Sequence, residues 1–500
     1  VLGRDVEQLP FQTDRLGDPE LAEESLDPED WKAFRAVAHR ALDEALDSLE
    51  GIREQPAWRS FSEVLQRRLA QPIPRGPQPL EEVYRELLEV VLPYSLGNRH
   101  PRFWGWVNGT GTPLAVIAEL LAAALNANVG GRDHAAGFVE ERVVEWWREL
   151  MGFPLGTGGL LVSGASMANL VGLAAARNAQ AGWDVRRLGL RGGSFRMIFY
   201  ASAEAHASVR RALELLGIGH GCLRLIRTGE DFRIDLAALE SAIRQDHVRG
   251  DRPACVVGTA GTTNTGAVDD LAGLAAICRA ERLWLHVDGA FGALAVLSPS
   301  LRPLLAGLEA ADSLAFDLHK WMYLPYGVGC VLARREGDLR SAFSLVPEYL
   351  EKMPRGVATG ANHFSDLGPE LSRGFRALKV WMALKVHGVE KHARLIEQNV
   401  AQAQYLAQRV ESSPDLELLA PVSLNVVCFR FAADLPEEEL SALNREILMR
   451  LQESGVAVPS GTVIRGRYAL RAAVTNHRSR REDFDVLVEE VVRIGRELVG

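Results

Sequence analysis

A lysine and a tryptophan in Asp317-Leu318-His319-Lys320-Trp321 follow directly on the apolar run Ser313–Phe316. Lysine is rarely buried unless it has a partner or a task. Desolvation and neighbouring charge lower its pKa, and the free amine then attacks an aldehyde. The bland alternative, a lysine reaching solvent from a strand end, stands even on this stretch alone. In Leu283–Ala290 a second apolar strand ends in a carboxylate, Asp288, with Gly289 and Ala290 beyond it. Such a carboxylate can keep a heteroaromatic ring nitrogen protonated, so that the ring draws electrons, and small neighbours leave room for a flat ring. A helix-capping or metal-binding aspartate is the commoner meaning of an isolated Asp at this place.

Three weaker signals have the same setting. Ser163-Gly164-Ala165-Ser166 opens a helix after a strand, where backbone amides, the Ser166 hydroxyl and the helix dipole can cradle a phosphate; a tight turn with an N-cap explains it equally. His206 begins the helix after Met197–Ala201 and can stack on a ring or serve as a cap. Gly261-Thr262-Thr263 places hydroxyls after Ala254–Thr259, or is a polar turn. Together the five strand ends offer a phosphate cradle, a ring stacker, a hydroxyl, a ring-nitrogen carboxylate and a Schiff-base lysine. Those are the parts of a site for pyridoxal 5′-phosphate (PLP).

These residues need a sheet to align them. Seven short apolar runs are expected as strands: Leu160–Ser163, Met197–Ala201, Leu223–Arg227, Ala254–Thr259, Leu283–Asp288, Ser313–Phe316 and Val328–Ala333. Helical patterns near Ser166–Ala179, Ala205–Leu216, Leu236–Ile243 and Leu271–Ala280 separate the earlier ones. The alternation predicts an α/β domain whose mostly parallel sheet is covered by helices on both faces, with ligands at the carboxyl ends of its strands. Residues 1–99 read as a helical arm, with Asp27-Pro28 as the cap of a first helix and a second helix through Val83, Leu87 and Val90. Residues 100–370 form the large domain and 371–500 a small C-terminal α+β domain.

Composition limits the alternatives. The chain has 47% hydrophobic and 24% charged residues and a net charge of −9, which argues against a nucleic-acid surface. Its apolar stretches are too short to span a bilayer, and the N-terminus lacks a signal-peptide pattern. The five cysteines are scattered, with no C-x-x-C pair, as in reduced core residues of a cytoplasmic protein. No metal site is expected.

The sequence resembles the pyridoxal-dependent decarboxylases of the aromatic-L-amino-acid, histidine and glutamate decarboxylase group, which have the fold-type I, aspartate aminotransferase-like architecture. The likeness runs from about His100 to the C-terminus through His100-Pro101-Arg102-Phe103, His206–Val209, His286-Val287-Asp288, His319-Lys320-Trp321, Phe375–Trp381 and Asn476-His477-Arg478. The resemblance implies that Lys320 holds PLP, Asp288 meets the pyridine nitrogen, His206 stacks on the ring and Ala290 supports its other face. It implies phosphate-side places for Ala165, Ser166 and His319, a cofactor-side place for Thr263, and Tyr349 on a mobile loop as proton donor, with Gly356–Asn362 as part of the lid. It also implies a homodimer with shared active sites, to which Gly130–His134 of each subunit contributes. Asp317 departs from the Asn usual in the animal aromatic enzymes. Trp104 and Trp106 lie near the expected side-chain pocket, or in the core. The expected reaction is decarboxylation of an L-amino acid, aromatic first and acidic as the alternative. An aldehyde synthase or transaminase on the same fold, or a non-catalytic nucleotide-binding α/β protein, are the rivals.

Overall fold

The computed structural model describes residues 25–345, 354–357, 359 and 363–500. Each of the seven apolar runs forms a strand: β1 (Gly158–Val162), β2 (Met197–Ser202), β3 (Leu223–Ile226), β4 (Arg252–Thr259), β5 (Trp284–Asp288), β6 (Ser313–Asp317) and β7 (Gly329–Ala333). They make one sheet in the order β1-β7-β6-β5-β4-β2-β3. Strands β2 to β6 are parallel, and β7 is antiparallel to both β6 and β1. Two reversals leave β1 pointing the same way as β6, so the carboxyl ends of β1 to β6 share one edge.

Successive side chains on a strand face opposite ways, and here both faces are covered. Val256, Leu285, Val287, Leu314, Phe316 and Leu332 belong to one apolar cluster, while Cys255, Val257, Trp284, Ala315 and Val331 belong to the other. That double burial is why these strands read as unbroken apolar runs. Helix Ala165–Ala181 crosses the second face, packing on β4 to β7.

The chain divides into two units at Glu50/Gly51. In the first, helix Trp31–Glu50 is capped by Asp30, not Asp27: Asp30 Oδ1 accepts the Lys32 and Ala33 N–H groups at 2.8 and 3.0 Å. In the second, helix Leu80–Glu86 widens into a π-type turn at Leu87–Val91. Helix Pro113–Leu125 buries only Ala115 and Ala118 and exposes Leu120, Leu121 and Leu125. The long helix Ala377–Glu411 kinks at Gly388, whose φ is 71°. Beyond it β8 (Leu416–Leu418), β9 (Val426–Phe431), β10 (Ser460–Ile464) and β11 (Arg467–Ala473) form an antiparallel sheet in the order β10-β11-β9-β8, with helices Glu437–Glu453 and Arg481–Val499. Among the described residues no helix is long and apolar enough to cross a membrane.

The segment from His100 to Gly111 is stitched to this second sheet. Trp104 N–H donates to Val458 O at 2.8 Å, and its carbonyl accepts from Ala473 N–H at 2.9 Å. Asn476 Nδ2 donates to His100 O at 2.7 Å and Arg478 Nη2 to Gly111 O at 3.2 Å. The motif Asn476-His477-Arg478 thus acts as a clamp on the stretch that runs past the sheet edge.

Candidate active site

Lys320 stands in the turn between β6 and β7, and its neighbours immobilise that turn. Leu318 and His319 N–H groups and His319 Nδ1 all donate to Val328 O, at 3.1, 3.2 and 2.9 Å. Trp321, fully buried, donates its indole N–H to Asn399 Oδ1 at 3.1 Å, and the Tyr323 hydroxyl shares that acceptor at 2.8 Å. Asn399 Nδ2 in turn donates to Gln402 Oε1 and Asn476 O. The tryptophan after the lysine is therefore an anchor. Gly109 lies against the same turn: a Cβ there would sit 1.6 Å from His319 O, so only glycine allows the approach.

Asp288, at the end of β5, is 3% exposed. Its Oδ2 accepts from Asn169 Nδ2 at 2.9 Å and its Oδ1 from Ala290 N–H at 3.2 Å. Burial pushes its pKa up, while the Asn169 bond and the Lys320 charge pull it back. His286, two residues earlier and so on the same face of β5, bridges Ser313 Oγ at 2.7 Å and Asn169 Oδ1 at 2.9 Å. Gly172 makes room for that imidazole, since a Cβ there would lie 2.7 Å from His286 Cε1.

Burial lowers the His286 pKa to about 3. An unfolded imidazole takes up its proton near pH 6.5 or so. Between those values the unfolded state binds more protons, so stability present above about pH 6.5 is lost as pH falls, by roughly 1 kcal/mol per pH unit. Melting temperature should drop across this window, and less steeply in His286→Gln. An identical acid limb in that variant would remove His286 from the account.

A cavity of about 190 Å³ opens at the strand edge, lined among others by Trp106, His206, Thr259, Thr263, Asp288, Ala290 and Lys320. Five residues singled out from sequence, Lys320, Asp288, His206, Thr263 and Ala290, thus come together. His206 caps its helix, its Nδ1 accepting from Ser208 N–H at 3.2 Å and lying 2.8 Å from Ser208 Oγ. The buried Thr259 Oγ1 has no protein partner. Ala165, Ser166 and His319 lie to one side. The Ala165 N–H donates to Asp317 Oδ1 at 2.6 Å, and Asp317 Oδ2 pairs with Lys320 Nζ at 2.9 Å. Ser166 is exposed at the same helix start, and the His319 ring, Cε1 3.1 Å from an added Cβ on Gly164, packs beside it.

Trp104 is not in the cavity. Its ring stacks on Phe484 with centroids 4.7 Å apart and its indole N–H donates to Ser479 Oγ, so it belongs to the C-terminal core. Trp106 has φ 53°, unusual for a bulky side chain. It is held by Ser460 Oγ, which accepts its N–H, and Arg471 Nη1, which donates to its carbonyl, both at 3.1 Å. Holding a bulky residue there costs about 1–3 kcal/mol. Tyr349 and most of Gly356–Asn362 lie outside the described residues. Asn169 and Ser208 are not legible as site residues from sequence. Asn169 follows Ala165 by one helical turn, a buried amide in an otherwise apolar helix face, and that was its only signal.

The site fits PLP by the chemistry of its groups. A lysine lines the cavity, where it could meet an aldehyde, a buried carboxylate lacks a full cationic partner for its charge, and a helix start beside it could take a phosphate. A mostly parallel sheet with one reversed strand and a cleft at its carboxyl edge defines a fold-type I enzyme. The pyridoxal-dependent decarboxylase conserved domain matches residues 63–432. An aromatic-L-amino-acid decarboxylase of Bacillus atrophaeus is 33% identical over 473 residues, 93% of this chain and 96% of its own. Tryptophan decarboxylase 1 of Oryza sativa subsp. japonica is 30% identical over 90% of this chain and 91% of its own. The crystal structure of Oryza sativa TDC with PLP and tryptamine superposes with a TM-score of 0.87 at 27% identity, covering 95% of this chain and 100% of that one. The chain belongs to the pyridoxal-dependent decarboxylase family. It is a PLP-dependent carboxy-lyase that decarboxylates an amino acid.

Proposed function

We propose that this enzyme decarboxylates an aromatic L-amino acid to its amine, with Lys320 holding the cofactor as a Schiff base. The observation that supports it most is the cavity that joins Lys320, Asp288 and His206 and is lined by Trp106. An acidic substrate would need a cation for its side chain. Among the described lining residues no arginine is present, and the only lysine, Lys320, is taken by the cofactor. The two decarboxylases matched above carry aromatic names, which points the same way. Turnover of a panel of L-amino acids, read as carbon dioxide and amine, tests the reading: aromatic substrates should exceed glutamate by about a hundredfold in kcat/KM. Glutamate as the best substrate would overturn it.

In this reading PLP supplies an electron-withdrawing ring that takes up the electron pair left by the departing carboxylate. Asp288 would hold the proton of the ring nitrogen, His206 and Ala290 would pack on the ring, and Thr263 would contact it. Ser166, His319 and the amides at the start of helix Ala165–Ala181, Ala165 among them, would hold the phosphate. Lys320 Nζ would supply the amine that holds the cofactor between turnovers.

Tyr349 delivers a proton to the substrate α-carbon after carbon dioxide leaves. Tyr349→Phe should cut amine formation by about tenfold or more and divert product, in air, to aldehyde and ammonia with oxygen uptake. Amine at the parental rate with no aldehyde would show that another group donates.

We also read the protein as a homodimer. Helix Pro113–Leu125 exposes a leucine face that a second copy would cover, and Gly130–His134 would complete the neighbour's site. Sedimentation at micromolar concentration should show at least a dimer, and a fully active monomer would end the reading.

A further inference from the structure

The hydrogen bonds beneath Asp288 have a fixed direction. Trp284 Nε1 can only donate, and it donates to Ser313 Oγ at 2.8 Å. Ser313 Oγ has a second lone pair, so the direction is set from the other end: the Asp288 carboxylate only accepts, so the Asn169 atom facing it is Nδ2 and Oδ1 faces His286 Nε2. His286 is buried and neutral, so its one proton is on Nε2 and is donated to Asn169 Oδ1 at 2.9 Å, which leaves Nδ1 to accept the Ser313 hydroxyl proton at 2.7 Å. Asp288 thereby settles which way the Asn169 amide faces. Its two Nδ2 protons go to Asp288 Oδ2 and Ser208 Oγ, each at 2.9 Å. Ser208 passes its hydroxyl proton to His206 Nδ1, which also accepts the Ser208 N–H. The imidazole of His206 is thereby left with its proton on Nε2.

We propose that Asn169 is a positioning residue of the active site, one amide that orients both the Asp288 carboxylate and, through Ser208, the His206 ring. A flipped amide would set Asn169 Oδ1 against Asp288 Oδ2, two acceptors with no proton between them, so the amide is held in one orientation. An unpaired buried group costs about 1–3 kcal/mol. Asp288 then meets the cofactor as an anion already holding two donors, one of them supplied by Asn169. Removing that donor makes the carboxylate a stronger base towards the ring nitrogen, and the shared proton moves from nitrogen to oxygen.

The inference rests on Asp288 facing the ring nitrogen, and the experiment separates the two. The protein is reconstituted with PLP labelled with ¹⁵N in its ring, and the ring-nitrogen resonance is followed together with kcat and KM. Asp288→Asn is the reference and should move the resonance to the unprotonated position; if it does not, the placement of Asp288 has failed. Asn169→Leu should move it in the same direction and lower kcat by about tenfold or more, with KM within about threefold. If Asp288→Asn shifts the resonance and Asn169→Leu leaves it at the parental position, the proposal is overturned, whatever kcat does. Should Asn169→Leu not fold, Asn169→Ala removes the same donor without adding bulk and is read by the same criteria.

Discussion

Replacing Lys320 by alanine is expected to abolish turnover, by roughly 10⁴-fold or more, because a covalent role has no substitute among the neighbouring groups. The visible absorbance of bound PLP and its irreversible attachment by borohydride should both vanish, while the far-ultraviolet circular dichroism stays that of the parent. The fold should survive because the turn is anchored by Trp321, Tyr323 and Val328 O, none of which involves the lysine side chain. The variant does leave the Asp317 carboxylate, 3% exposed, without its cation. A fall in stability of about 1–3 kcal/mol is the expected cost of leaving such a group without its partner. Turnover within tenfold of the parent would refute the assignment of Lys320.

The second large effect is at Asp288. Asparagine fills the same space and can accept the bond from Asn169, but it carries no charge to hold a proton on the ring nitrogen. The rate should fall by about two to four orders of magnitude, a loss of some 3–5 kcal/mol of transition-state stabilisation, with PLP still bound. Unchanged kinetics with normal PLP content would mean that the ring lies elsewhere in the cleft.

Much of this architecture was legible because burial on both faces writes a strand as a short apolar run, and each run formed a strand with ends within two residues of those expected. Strand ends then placed the proposed site residues: Asp288 closes β5, and Lys320 follows β6. The small strands β8 and β10 escaped notice, the first being only three residues long and the second partly exposed. Trp104 and Trp106 could not be told apart by spacing, since residues two apart on an extended chain share a face. The positive φ at Trp106 breaks that rule, and no local pattern announces it. Asn169 was hidden for another reason. Its partners His286, Asp288 and Ser208 come from distant parts of the chain, so only the packed helix reveals them.

The reversed strand β7 also sets how this protein can tolerate change in length. The parallel strands are joined by crossovers through helices, where an extra residue can be absorbed in a loop. The connection that carries Lys320 is different, because it closes an antiparallel ladder in which Asp317 is paired with Gly329 and Ser313 with Ala333. Slipping that register by one residue would turn every buried side chain of β7 to the opposite core. The ladder itself therefore behaves like a fixed ruler: insertions within β6 or β7 should be purged first, while the helical crossovers remain free to drift.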